Sequence, residues 1–149
     1  MIIKSILKAY YDYRHRKGYT ARIGWLEPKE VEVYINTDDS EGGIPHIHIR
    51  SFRKKLRHLF KRKINCCVML EEARYFPHDK CRGTLNFVMR DKLNEFMHSF
   101  HKCWGVTIYE LACEEWDRNN DVDGIPVKMK KDEEGNVIIP DYTNIKSYK

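Results

Sequence analysis

Apolar residues recur with helical spacing at Ile2, Ile3, Ile6, Leu7, Tyr10 and Tyr13, and Gly18 can close that run in the left-handed conformation. Arg14, His15, Arg16 and Lys17 fill its last turn, where cations favour the negative end of a helix dipole. The pattern predicts an amphipathic helix over 2–17. The period then drops to two. A strand is expected over 20–26, and Val31, Val33 and Ile35 alternate with Glu32, Tyr34 and Asn36 in a second. The turn chemistry of Asp38-Asp39-Ser40-Glu41-Gly42-Gly43 leads into a third strand at 44–51, returning antiparallel. The continuous apolar run Ile64–Leu70 reads as a central, largely buried strand. Together these make a three- or four-stranded antiparallel meander.

Beyond residue 85 the helical period returns. Met89, Leu93, Phe96, Met97, Phe100 and Trp104 form one apolar stripe, which Gly105 is expected to end. Thr107-Ile108-Tyr109-Glu110 has the spacing of a capping box, in which the threonine oxygen accepts an orphan amide and the glutamate reaches back. Ile108, Leu111, Ala112 and Trp116 form the inward stripe of the helix it opens, ending near Asn119-Asn120. Val127–Lys131 and Val137–Ile139 flank Asp132-Glu133-Glu134-Gly135-Asn136 as a small hairpin, and 141–149 read as a flexible tail. The fold class is therefore α+β: an antiparallel meander with an N-terminal helix, two C-terminal helices and a terminal hairpin, in a single domain over 1–140. A chain of 149 residues can bury such a core without covalent staples.

Charge is unevenly distributed. Residues 1–63 carry 15 Lys/Arg against 7 Asp/Glu, whereas 64–149 carry 12 against 15. A positive front steers the molecule toward polyanions or acidic proteins. Its densest part is Arg50, Arg53, Lys54, Lys55, Arg57, Lys61, Arg62 and Lys63, with no acid among them and with Arg14 and Arg16 as a possible extension. Phe52, Leu56, Leu59 and Phe60 within this block fit either a helix over a groove or a long loop with its apolar residues tucked under.

The same strand that feeds the basic block carries His46 and His48. Two residues apart in a strand, they share one face with about 6–7 Å between their α-carbons, a spacing from which two imidazoles can converge on one metal. His78 and Asp79 are the natural further ligands, and His98 and His101 form a second pair. Glu72 beside Arg74 and His78 is the acidic group closest to hydrolytic character, with a salt bridge the simpler role. Cys66, Cys67, Cys81, Cys103 and Cys113 form no Cys-x-x-Cys pair and read as small buried hydrophobes in a reducing compartment. No nucleophile elbow, phosphate-cradling glycine loop or His-Glu-x-x-His is present. No run approaches 18 apolar residues and no signal peptide is evident, so the expected setting is cytoplasmic, with no membrane partner.

Gly43-Ile44-Pro45-His46-Ile47-His48 resembles the Pro-Pro-His-Phe-His hallmark of a small bacterial and phage domain of unknown function, often found beside toxin–antitoxin genes. Glu72–Lys80, Leu85-Asn86, Phe96-Met97 and Glu115–Asn120 resemble a related gut-bacterial and phage group, so that the likeness spans about 28–120. The chain departs in having Ile44 and Ile47 where the hallmark has Pro and Phe, and in inserting the basic block after His48. The resemblance implies a strand-meander-plus-helices fold and a mobile-element setting, and it lends no activity. On these grounds the expected function is a non-catalytic binding protein that engages nucleic acid, or an acidic or nucleic-acid-handling host protein, as an antitoxin-like or defence-inhibitor-like factor without a cofactor. The alternative is a hydrolase or nuclease with zinc or manganese at His46, His48 and His78. A structural oligomer is the third reading.

Overall fold

The computed structural model describes residues 5–6, 21–26, 31–36, 44–51, 64–78, 81–120 and 126–148. The helix expected over 2–17 lies outside these residues apart from Ser5 and Ile6. So do Arg14, Arg16, Asp79 and the basic residues Arg53, Lys54, Lys55, Arg57, Lys61, Arg62 and Lys63.

Four strands, β1 (Ala21–Leu26), β2 (Val31–Ile35), β3 (His46–Ser51) and β4 (Asn65–Met69), form one antiparallel sheet in chain order. The meander follows from strands joined successively at their near ends, where an antiparallel return needs no crossover. Register fixes the faces. Val33 pairs with Ile49, and Ile49 with Cys66, which sets an apolar face that also holds Ile23, Ile35, Ile47 and Val68. One residue along, Glu32 pairs with Arg50, Tyr34 with His48, and His48 with Cys67. Side chains alternate along a strand, so these polar pairs occupy the opposite face. Both faces of β2 and most of β3 are buried.

Helices α1 (Phe87–His98) and α2 (Ile108–Asn119) supply Met89, Leu93, Met97, Ile108, Ala112 and Trp116 to the apolar core. Asn86 caps α1 by accepting from Met89 N at 2.9 Å. The expected capping box opens α2: Glu110 N donates to Thr107 Oγ1 at 3.2 Å, and Thr107 N donates to Glu110 Oε1 at 3.4 Å. The stripe from Met89 to Trp104 does not form one helix, however. Ser99 is extended, and both its N–H and its hydroxyl donate to Phe96 O, at 3.1 and 2.6 Å. The chain then turns back, with Phe100 bridged to Thr107 and His101 N donating to Val106 O. Phe100 is therefore 72% exposed, while Trp104 is buried from a turn. Periodicity alone had placed both on one helix face.

Lys130–Lys131 (β5) pairs antiparallel with Val137–Ile138 (β6), and Asp132 Oδ1 accepts from Glu134 N and Asn136 N between them. Gly135 takes φ +86° in that turn, which favours glycine. Residues 141–148, expected to trail freely, pack onto the body instead. Tyr142 is fully buried and donates to Met69 O at 3.3 Å, and Lys146 exchanges backbone hydrogen bonds with Ala73 and Tyr75. A large aromatic with a hydroxyl partner outweighs the polar composition around it.

Candidate metal centre

The polar face of the sheet is covered at one end by the chain that leaves β4. Bridges from Val68 to Tyr75 and from Cys66 to Arg82, with hydrogen bonds from Phe76 N to Cys67 O and from Gly83 N to Asn65 O, hold this return beside β4. Cys81 N donates to His78 O at 2.9 Å. The effect is to set Phe76, His78 and Cys81 over the two strand histidines. Phe76, Cys67 and Cys81 form a small apolar cluster of their own, and Trp116 closes another side with its ring 5.0 Å from that of His46.

Ring nitrogens and sulfurs converge inside this cover. His46 Nε2 lies 3.2 Å from His48 Nε2, and His48 Nδ1 lies 3.3 Å from both Cys67 Sγ and Cys81 Sγ. The His78 ring centroid is 5.1 Å from that of His46 and 5.5 Å from that of His48. One donor atom from each of His46, His48, Cys67 and His78 falls within 4.8 Å of all the others. His46, His48 and Cys67 are buried and His78 is half-buried.

The tautomer of His46 follows from its surroundings. Its Nδ1 is 2.8 Å from Ile44 O, and a carbonyl can only accept, so Nδ1 carries the proton. Neutral His46 therefore presents an unprotonated Nε2 to the cluster. A ring nitrogen held by a backbone carbonyl, with the other nitrogen bare, is the usual arrangement of a metal-binding histidine. Two nitrogens on a tetrahedral zinc stand about 3.3 Å apart, from zinc–nitrogen bonds of about 2.0–2.1 Å. The 3.2 Å His46–His48 separation has that dimension. Thiolate and imidazole donors without a carboxylate suit zinc and disfavour manganese, which takes oxygen ligands.

The remaining polar groups on this face support the cluster. Tyr34 stacks on His48 at 5.0 Å and 22°, and Arg50 lies 4.3 Å over the Tyr34 ring. Buried Glu32 receives Arg22 at 2.6 Å and Arg50 at 2.9 Å. Burial pushes the Tyr34 phenol up to about 12, against the pull of Arg50. The Cys81 thiol moves the other way, to about 5: the hydrogen bond from Cys67 lowers it most, and His48 and His78 add to this against burial.

Of the residues picked out by sequence, the fold thus brings together His46, His48 and His78. Arg50, exposed on β3, pairs with Glu32 and lies over the Tyr34 ring. Glu72 pairs with Arg74 at 3.3 Å, the structural role. His98 Nδ1 bonds Asn94 O on the exposed side of α1. The sequence reading overlooked Cys67 and Cys81 as site residues, having taken the cysteines as packing. A usable signal was present in the adjacent Cys66 and Cys67: successive strand residues face opposite ways, so one of them had to join the histidine face.

Compared with family models, curated proteins and solved structures, the chain matches none. Among the described residues no helix is long and apolar enough to cross a membrane.

Proposed function

We propose that this protein is a non-catalytic, polyanion-binding domain whose sheet is clamped by one zinc ion at His46, His48, Cys67 and His78. The observation that carries the metal assignment is the convergence of four donors, three of them buried, with the Nδ1–H of His46 donating to the Ile44 carbonyl. Four protein ligands complete a tetrahedral zinc shell, the mark of a structural site; a catalytic one keeps a position open. Such a clamp ties β3, β4 and the return over them into one unit.

The binding role rests on sequence and topology. β3 ends at Ser51 and β4 begins at Asn65, so the segment 52–63, with seven Lys/Arg and no acid, is rooted in the two strands that carry three of the ligands. Ser51 N donates to Ile64 O at 2.9 Å, which closes the base of that segment. Nucleic acid is the partner such a charge block fits best, through phosphate contacts indifferent to sequence. An antitoxin-like or defence-inhibitor-like role would follow from the family resemblance and has no support from the site itself.

Elemental analysis of the purified protein tests the clamp. One equivalent of zinc is expected, and its absence from His46→Ala/His48→Ala. Fluorescence anisotropy with a labelled duplex tests the partner. Affinity should fall with salt, with a log–log slope no steeper than about −6 for seven phosphate contacts. Reversal of Lys61, Arg62 and Lys63 to Glu should flatten it. Binding that ignores both salt and charge reversal would remove the nucleic-acid reading. The alternative, a metal-dependent hydrolase or nuclease, predicts turnover of nucleic acid or ester substrates that His48→Ala abolishes; the closed donor set argues against it.

A further inference from the structure

Cys81 lies outside the four-donor set yet touches the same histidine as Cys67. The Cys66–Arg82 bridge is antiparallel, and with Gly83 N donating to Asn65 O it holds the chain at Cys81 alongside β4 beside Cys67. Both side chains also point to one side, since each sulfur sits 3.3 Å from His48 Nδ1. Neither is in a disulfide, and Cys81 is 9% exposed against 0% for Cys67. The other cysteines do not share this geometry: Cys66 faces the apolar core, Cys113 is buried in α2, and Cys103 is exposed beyond α1.

We infer that Cys67 and Cys81 form a peroxide-responsive dithiol, and that closing it to a disulfide withdraws Cys67 from the metal and releases the ion. The release rests on the zinc reading above; the disulfide does not. In the balanced step, the more accessible Cys81 thiol attacks the peroxide O–O bond, giving a Cys81 sulfenic acid and one water. The Cys67 thiolate, leaving the metal, then attacks the Cys81 sulfur and expels hydroxide. Two sulfurs lose two electrons in total, and one hydrogen peroxide is reduced to water and hydroxide. Three histidines remain, and the thiolate that favoured zinc is gone.

The test uses the full chain loaded with zinc and treated with hydrogen peroxide. Intact mass should fall by two hydrogens, with a Cys67–Cys81 peptide pair in a non-reducing digest. A chromogenic zinc chelator should report release in step with that product, and dithiothreitol should reverse both. Cys81→Ser retains all four donors, so it should still hold zinc but release it at least tenfold more slowly under peroxide. A different cysteine pairing, or equally fast release from Cys81→Ser, overturns the inference. If the Cys67–Cys81 disulfide forms in a protein that never takes up zinc, the dithiol stands and the clamp is the idea that fails.

Discussion

His48 is held on four sides: by His46 at Nε2, by two thiols at Nδ1, by the Tyr34 ring on its face and by the return segment above. At this scale adjacent residues have opposite fates. Cys66 faces the core, where burial pushes its thiol up to about 12, while one position along Cys67 meets His48. Under the zinc proposal, Cys67→Ser should abolish zinc binding, by elemental analysis. Cys66→Ser should leave zinc in place and lower the urea midpoint, because a hydroxyl buried without a partner costs about 1–3 kcal/mol. A second residue-scale expectation concerns Glu32. Its carboxylate is buried between two guanidiniums whose side chains remain 49% and 45% exposed. Solvent reaches those partners, so Glu32→Gln should destabilise by about 2 kcal/mol, below the 3–5 kcal/mol of a fully buried pair. Urea denaturation checks the figure.

Among the elements, α2 and β1 are the ones whose local chemistry is easiest to test. The capping box satisfies two donors that helix geometry leaves orphaned, so Thr107→Ala should cost about 1 kcal/mol by chemical denaturation. At Gly24 the ladder of β1 on β2 shifts register, and an added β-carbon would lie 2.6 Å from Phe96 Cζ. Phe96 covers the glycine from α1, so Gly24→Ala should force its ring aside and cost about 1–2 kcal/mol, with no change in zinc content. The box was legible in the sequence as Thr-x-x-Glu, and the helix it opens ends where expected. The end of α1 was not. Phe100 and Trp104 continue the apolar period perfectly well, and only the capture of the Phe96 carbonyl by Ser99 diverts the chain.

For the molecule as a whole, the buried acids-in-waiting set the alkaline limit. Burial raises Cys113 to about 12, and it lifts Tyr109 and Tyr142 above the ordinary phenol range. A folded pKa above the unfolded one means the protonated form is favoured by folding. The corresponding stability is complete below about pH 9, the unfolded thiol range, and declines as pH rises toward 12. Urea midpoints should fall as the pH rises from about 9 to about 10.5. The final residues matter on this scale too. Tyr142 closes the core and Lys146 pairs with the chain at Ala73 and Tyr75, just before His78. Truncation before Asp141 should lower the melting temperature and weaken zinc retention together.

Hydrophobic period and turn chemistry determined the α+β class, an antiparallel meander of three or four strands and the two helices beyond it, because burial of one face per element is a local constraint on residue type. Charge counting located the basic segment, and the His-x-His spacing put two imidazoles on one strand face. What tertiary structure decided was company. The β3–β4 register brought Cys67 to His48, and the return beside β4 carried Cys81 to Cys67 and His78 to both histidines. Those meetings depend on approaches between residues 14 to 32 apart in the chain. A slip of one residue would have sent Cys66 to the histidines instead, and no composition or spacing within a single strand encodes which of the two arrives.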